Sequence, residues 1–254
     1  MKTFKLCSPL HKGSARLSFG PLLAHRTMKK FFIALWISML ASHMMAQSTA
    51  FSSNIVGYAT LSIPPGYSLL ANPLTSGETN GANEIMPILD GEIILTWNGG
   101  SFDEVMYDST AGGWVLGDDI TVTQPPSLPP GSGFFFFNPN PTATNVTFVG
   151  QVVPGPSSTA FVVLRGGYSL VGSPLPATVA LITNTPVSLP IIDGMAILQW
   201  NAGKYSEVMY DSTAGGWVLA DDATPSTAPP YAIGQGFFFF NPSVNPRIWY
   251  QSLP

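Results

Sequence analysis

Thirteen consecutive residues occur twice in this chain. Glu104 to Leu116 reads EVMYDSTAGGWVL, and Glu207 to Leu219 repeats it letter for letter, 103 positions later. A repeat at that spacing requires two copies of one unit of about a hundred residues, the size of a small domain rather than of a solenoid turn. It also sets a rule for function, because a site built into the unit is expected twice.

The likeness extends beyond the identical string. Gly66-Tyr67-Ser68-Leu69 returns as Gly167-Tyr168-Ser169-Leu170, followed by Pro73-Leu74 and Pro174-Leu175. Asp90-Gly91 matches Asp193-Gly194, and Trp97-Asn98 matches Trp200-Asn201. Gly131, Gly133, four phenylalanines and Asn138-Pro139 return as Gly234, Gly236, four phenylalanines and Asn241-Pro242. The offset is 101 at the first tyrosine and 103 from Asp90 onward, so the second copy carries two extra residues in between.

Before the copies stands a leader. Met28-Lys29-Lys30 precedes an apolar run from Phe31 to Ala41, and small residues follow at Ala46 and Ser48. This layout predicts a signal peptide at 28–46, cleaved after Ala46, and so a secreted, cell-surface or periplasmic protein. A membrane anchor is the rival reading, but a span needs about 20 apolar residues and His43 cuts this run short. No cysteine follows the cleavage site, so lipid modification is not expected. Residues 1–27 do not belong to the layout. An extended n-region and a start codon assigned too far upstream both account for them, and we take the second, reading 1–27 as a spurious or disordered extension. The first unit is then 47–153, the linker 154–158 and the second unit 159–254.

Removing the leader changes the chemistry. His11, His25, His43 and Cys7 all lie in the first 46 residues, as do seven of the ten lysines and arginines. The remainder keeps Arg165, Lys204 and Arg247 against fourteen carboxylates, a net charge of −11. A chain this acidic is a poor partner for nucleic acid. Without histidine or cysteine it has no Ser-His-Asp triad, no thiol nucleophile and no Cys/His zinc site. It has no disulfide either, so its stability must come from core burial.

Proline and glycine punctuate the chain too densely for long helices. Ile93 to Trp97 alternates as a strand does, with Ile93, Leu95 and Trp97 on one face. Asn98-Gly99-Gly100 follows as a hairpin turn, Phe102 to Tyr107 as the return strand, and Trp114 to Leu116 as a third strand. The same meander is expected from Ile197 to Leu219. Asn54 to Ile63 reads as an opening strand, and Val146 to Val153 and Arg247 to Gln251 as closing strands. In the four-phenylalanine strand, Phe134 and Phe136 face one way and Phe135 and Phe137 the other. Rings that each bury roughly 150 to 250 Å² must be covered on both faces. That strand is expected at the centre of a sheet or at the junction of the two units. The fold class is all-β: two tandem β-sandwich or partly open β-barrel units, related by a pseudo-two-fold axis if they pack together.

Three chemistries remain. The first is carboxylate catalysis. Asp90/Asp193, Glu104/Glu207, Asp108/Asp211, Asp118/Asp221 and Asp119/Asp222 recur, and two carboxylates held roughly 5 to 9.5 Å apart could hydrolyse a glycosidic bond. The second is calcium, for which Asp118, Asp119, Asp221 and Asp222 are candidate ligands although the loop is not an EF-hand. Against both stands the ordinary role of aspartate in turns, bonding the local backbone. The third is polysaccharide binding, with Trp97, Tyr107, Trp114, Trp200, Tyr210 and Trp217 as a stacking platform. Tryptophans beside glycine-rich turns also serve simply to close a core. Gly131-x-Gly133 is not a dinucleotide loop, because it lacks the third glycine and runs into a strand instead of a helix.

Asn54-Ile-Val-Gly-Tyr58, Gly66 to Leu74, Trp97-Asn-Gly, Gly113-Trp114, Gly131 to Pro139 and Thr147-Phe-Val-Gly150, in that order, resemble a group of secreted repeat proteins of Verrucomicrobia-type bacteria. The resemblance spans essentially the whole exported part and implies an exported all-β protein. It implies no activity, cofactor or site residue. Many exported bacterial repeat proteins end in an apolar sorting tail, and Gln251-Ser-Leu-Pro254 does not have that character. The expected role is a non-enzymatic extracellular or cell-surface protein, structural or adhesive. Carbohydrate binding is the alternative, followed by a carboxylate-based glycoside hydrolase.

Overall fold

The computed structural model describes residues 56–153, 159–176, 189–221 and 224–252. The leader expected at 28–46, the extension expected at 1–27, the expected linker at 154–158 and Asp222 lie outside the described residues. The fold is all-β, and among the described residues every strand pair is antiparallel and there is one turn of helix.

The first copy runs β1 (Val56–Ile63), β2 (Gly66–Ala71), α1 (Ala82–Ile85), β3 (Ile93–Trp97), β4 (Phe102–Asp108), β5 (Gly113–Leu116), β6 (Val122–Thr123), β7 (Gly133–Asn138) and β8 (Thr144–Gln151). The second runs β9 (Thr159–Leu164), β10 (Gly167–Gly172), β11 (Ala196–Asn201), β12 (Lys204–Asp211), β13 (Gly216–Leu219), β14 (Gly236–Asn241) and β15 (Arg247–Ser252). Each copy has two layers. A broad open sheet has the order β2-β7-β3-β4-β5-β6 in the first copy and β10-β14-β11-β12-β13 in the second. The first and last strands of each copy leave that sheet and pair as a ribbon, β1 with β8 and β9 with β15. The layering is that of a sandwich, and no barrel closes.

Alternation along the strands decides which side chains meet. Leu70, Ile94, Trp114, Phe134 and Phe136 point to the inner face of the first sheet, onto Ile63, Val146 and Phe148 of the ribbon and Ala82 and Ile85 of α1. Phe237, Phe239 and Ile197 pack in the same way on Leu164 and Trp249. Each such side chain contributes roughly 1.5 to 3 kcal/mol by leaving water. The asparagine after the phenylalanines ties the layers together. Buried Asn138 donates from Nδ2 to the Ile63 and Thr142 carbonyls, both at 3.0 Å. Asn241 donates likewise to Leu164 and Asn245, at 3.3 and 2.9 Å.

The phenylalanine strand is both central and at the junction of the copies. β7 lies between β2 and β3. One of its outward rings, Phe135, joins Leu69, Leu170 and Phe238 in one buried cluster flanked by Trp97 and Trp200. The backbone crosses the same seam. The Ala71 amide donates to the Gly234 carbonyl at 2.8 Å, and the Gly172 amide to the Gly131 carbonyl at 3.0 Å. Residues 71 and 172, and 131 and 234, are equivalent in the two copies. The contacts thus interchange when the copies are exchanged, which is a pseudo-two-fold relation. This explains the second glycine of each Gly-x-Gly. A Cβ on Gly133 would lie 2.8 Å from the Val171 amide nitrogen, and one on Gly236 would lie 2.4 Å from the Leu70 carbonyl oxygen.

Candidate functional site

The six candidate aromatics do not form one exposed platform. Trp97, the last residue of β3, and Trp200, the last but one of β11, lie on the outward face and stand in the seam. The Trp97 indole donates to the Tyr168 carbonyl at 3.1 Å, and the Trp200 indole donates to the Tyr67 carbonyl at 2.9 Å. Their ring faces meet Phe238 and Phe135 edge-on, with centroids 5.5 and 5.2 Å apart. Trp114 points the other way. It is 1 % exposed, and its indole donates to Asn83 Oδ1 of α1 at 2.8 Å. Tyr107 packs on it edge-on, as Tyr210 does on Trp217, each pair with centroids 5.6 Å apart. An indole buried like Trp114 has no face to offer a sugar ring, so a platform that includes it is corrected to a core packing role.

Four of the recurring aspartates, Asp108, Asp118, Asp211 and Asp221, accept hydrogen bonds within their own turns. Asp108 Oδ1 accepts the Thr110 hydroxyl at 2.6 Å and the Thr110 and Ala111 amides at 2.7 and 3.2 Å. Asp211 makes the same set with Thr213 and Ala214. Asp90 and Asp193 each accept the amide of the residue after that aspartate, Ser109 and Ser212, at 2.6 Å. Asp118 accepts the Thr121 hydroxyl and the Ile120 and Thr121 amides, and Asp221 accepts from Thr224. These bonds, the threonine hydroxyls first, hold the Asp108, Asp118 and Asp211 carboxyls below the usual aspartate range. Asp119 sits exposed beside Asp118 in a left-handed conformation, φ 60°. Among the described residues no three His, Cys, Asp or Glu side chains gather as a metal centre.

What the two copies do build together is a pair of grooves, one on each side of the seam. The larger, about 710 Å³, lies between Pro64, Tyr67 and Leu69 of the first copy and Trp200, Asn201 and Gln235 of the second. The other, about 530 Å³, lies between Arg165, Tyr168 and Leu170 of the second copy and Trp97, Asn98 and Ser132 of the first. Most lining positions correspond under the repeat offset, so these are two versions of one site. Tyr67 and Tyr168 each present a partly exposed ring there. Burial, then the nearby Glu104 carboxylate, pushes the Tyr67 hydroxyl above the ordinary tyrosine range. The grooves are not equal in chemistry. Pro64 in one is Arg165 in the other, and Ser62 is Val163. Sequence reasoning missed them because each is shared between copies. The signal was the repeated Gly-Tyr-Ser-Leu, which places a tyrosine beside the other copy's tryptophan.

No protein-family model matches the chain, and neither a curated protein nor a solved structure is similar to it.

Proposed function

We propose that this is an exported, non-enzymatic protein of the cell surface or extracellular space, structural or adhesive in role. One observation carries the reading. Many of the residues that the copies share are spent on the fold: glycines and tryptophans in the seam, asparagines at the layer corners, aspartates in the turns. Among the residues that differ, several lie on outward surfaces, such as Thr60 against Phe161 and Pro64 against Arg165. A molecule built this way works through the surfaces it presents. The leader at 28–46 and the likeness to exported repeat proteins of Verrucomicrobia-type bacteria support the same reading. Fractionating cells into cytoplasm, periplasm, outer membrane and medium tests it. Recovery outside the cytoplasm is expected, and a cytoplasmic protein with an uncleaved leader would overturn it.

The paired grooves favour a second reading, carbohydrate binding, with Tyr67 and Tyr168 in place of the tryptophan platform. Retention on polysaccharide with two sites per chain, lost in Tyr67→Ala combined with Tyr168→Ala, would establish it. Retention unaffected by those changes would remove the tyrosines from the account.

A further inference from the structure

The copies differ most usefully in where each exposes apolar surface. On the outward face of the second ribbon, Phe161 pairs with Tyr250 and Val163 with Ile248, and all four are exposed, Phe161 by 59 %. The same two rungs of the first ribbon are Thr60 with Thr147 and Ser62 with Asn145, and its own exposed apolar pair, Tyr58 with Val149, lies one rung further along. The reverse holds at the far edge of the broad sheets. In the first copy the edge strand β6 carries Ile120 before it and Val122 within it, 81 % and 64 % exposed. In the second copy the equivalents are Ala223 and Pro225. Pro225 makes only a single bridge to Val218, where Val122 belongs to a ladder. A proline on an edge blocks strand addition, whereas an apolar edge invites a partner.

The flanking charges are opposite. Arg165 follows β9 and Arg247 opens β15, so both stand at one end of the apolar ribbon, exposed, with no side-chain partner among the described residues. They are two of only three cations in 47–254. At β6 the flank is Asp118 and Asp119. Two copies of the ribbon face packed parallel would bring arginines together, which disfavours that form of a symmetric ribbon dimer. An acidic, apolar edge is what the ribbon fits, and this chain carries one.

We propose that the protein associates head to tail with itself: the arginine-flanked face of the second ribbon in one molecule docks on the aspartate-flanked β6 edge of the next. The contact joins unlike surfaces, so it propagates into a ring or a filament. This deepens the structural reading above and rests on it.

The test is sedimentation velocity on the exported chain over a wide concentration range, using substitutions that the other copy already accommodates. Ribbon variant Phe161→Thr, Ile248→Asn and edge variant Ile120→Ala, Val122→Pro are each expected to remain monomeric at concentrations where the wild type grows into larger species. A mixture of the two is expected to form one-to-one dimers and nothing larger, because each variant retains one half of the contact. Arg165→Asp combined with Arg247→Asp, which alters only exposed side chains, is expected to weaken association at least tenfold, and melting curves establish that every variant is folded. A wild type that stays monomeric throughout overturns the proposal, and so does an edge variant that assembles normally. Failure here leaves the surface reading standing if fractionation still finds the protein outside the cytoplasm.

Discussion

Ala71 and Gly172 occupy equivalent positions in the two copies and meet at the seam, where a Cβ on Gly172 would lie 2.2 Å from the Ala71 Cβ. The space holds one methyl group, not two. Gly172→Ala is therefore expected to destabilise the protein by about 1 to 3 kcal/mol, the usual cost of overpacking. Exchanging the residues, Ala71→Gly with Gly172→Ala, should recover part of that loss. Recovery stays partial because the new Cβ would still lie 2.8 Å from the Gln235 carbonyl oxygen. Urea unfolding of the three variants measures this. A Gly172→Ala protein as stable as the wild type would show that the seam is looser than described.

The indole bonds across the seam give a second expectation. Trp97→Phe removes the donor to the Tyr168 carbonyl, and Trp200→Phe removes the donor to Tyr67. Each loss is expected to cost about 1 kcal/mol. Because the bonds interchange under the pseudo-two-fold relation, the two variants should lose similar amounts. A large effect from one and none from the other would mean that the copies do not support each other equally.

The seam also shows the limit of what could be read from the sequence. Alternation located the β3–β4–β5 meander, the opening and closing strands and the central phenylalanine strand, because side-chain period follows directly from backbone geometry. It could not say which body covers a face. Trp97 and Trp114 both looked like strand tryptophans beside glycine turns, yet one faces the other copy and one faces its own core. The glycines at 133 and 236 were legible as a motif, but their cause is the backbone of the other copy, distant in sequence. The helical turn α1 was not expected in so proline-rich a chain, and its Asn83 is what satisfies the Trp114 indole.

Buried Glu92 predicts a pH effect. Its carboxylate accepts the Leu89 amide at 2.8 Å, and the residue at the equivalent place, Met195, accepts the Ile192 amide on sulfur at 3.2 Å. Burial pushes the Glu92 carboxyl up, and the Leu89 bond only partly opposes it. With the folded pKa above the unfolded one, the folded state binds the proton more tightly. This site therefore stabilises the fold as pH falls through the raised pKa, and costs most at neutral pH, where the buried group is charged. Glu92→Met should raise the melting temperature at pH 7, with the gain shrinking towards pH 4. An equal change at both values would show that charge is not the cause.

The β11–β12 hairpin holds one strained residue. Ala202 has φ 48°, where the first copy has Gly99. Side chains are disfavoured in the left-handed region, so Ala202→Gly is expected to stabilise the protein by up to about 1 kcal/mol. Thermal melts read this directly, and a loss of stability would mean that the methyl group makes a compensating contact.

The contact between residues 71 and 172 bears on how such a molecule can change. Two separate identical chains meeting across a true axis must carry the same residue on both sides, so every substitution there arrives twice and lands against itself. Covalent joining lifts that restriction. One half can then keep a methyl group where the other has given it up, and one half can place aromatic rings on a rung that the other keeps polar. The seam stays nearly symmetric because packing demands it, while the outside is free to acquire a direction.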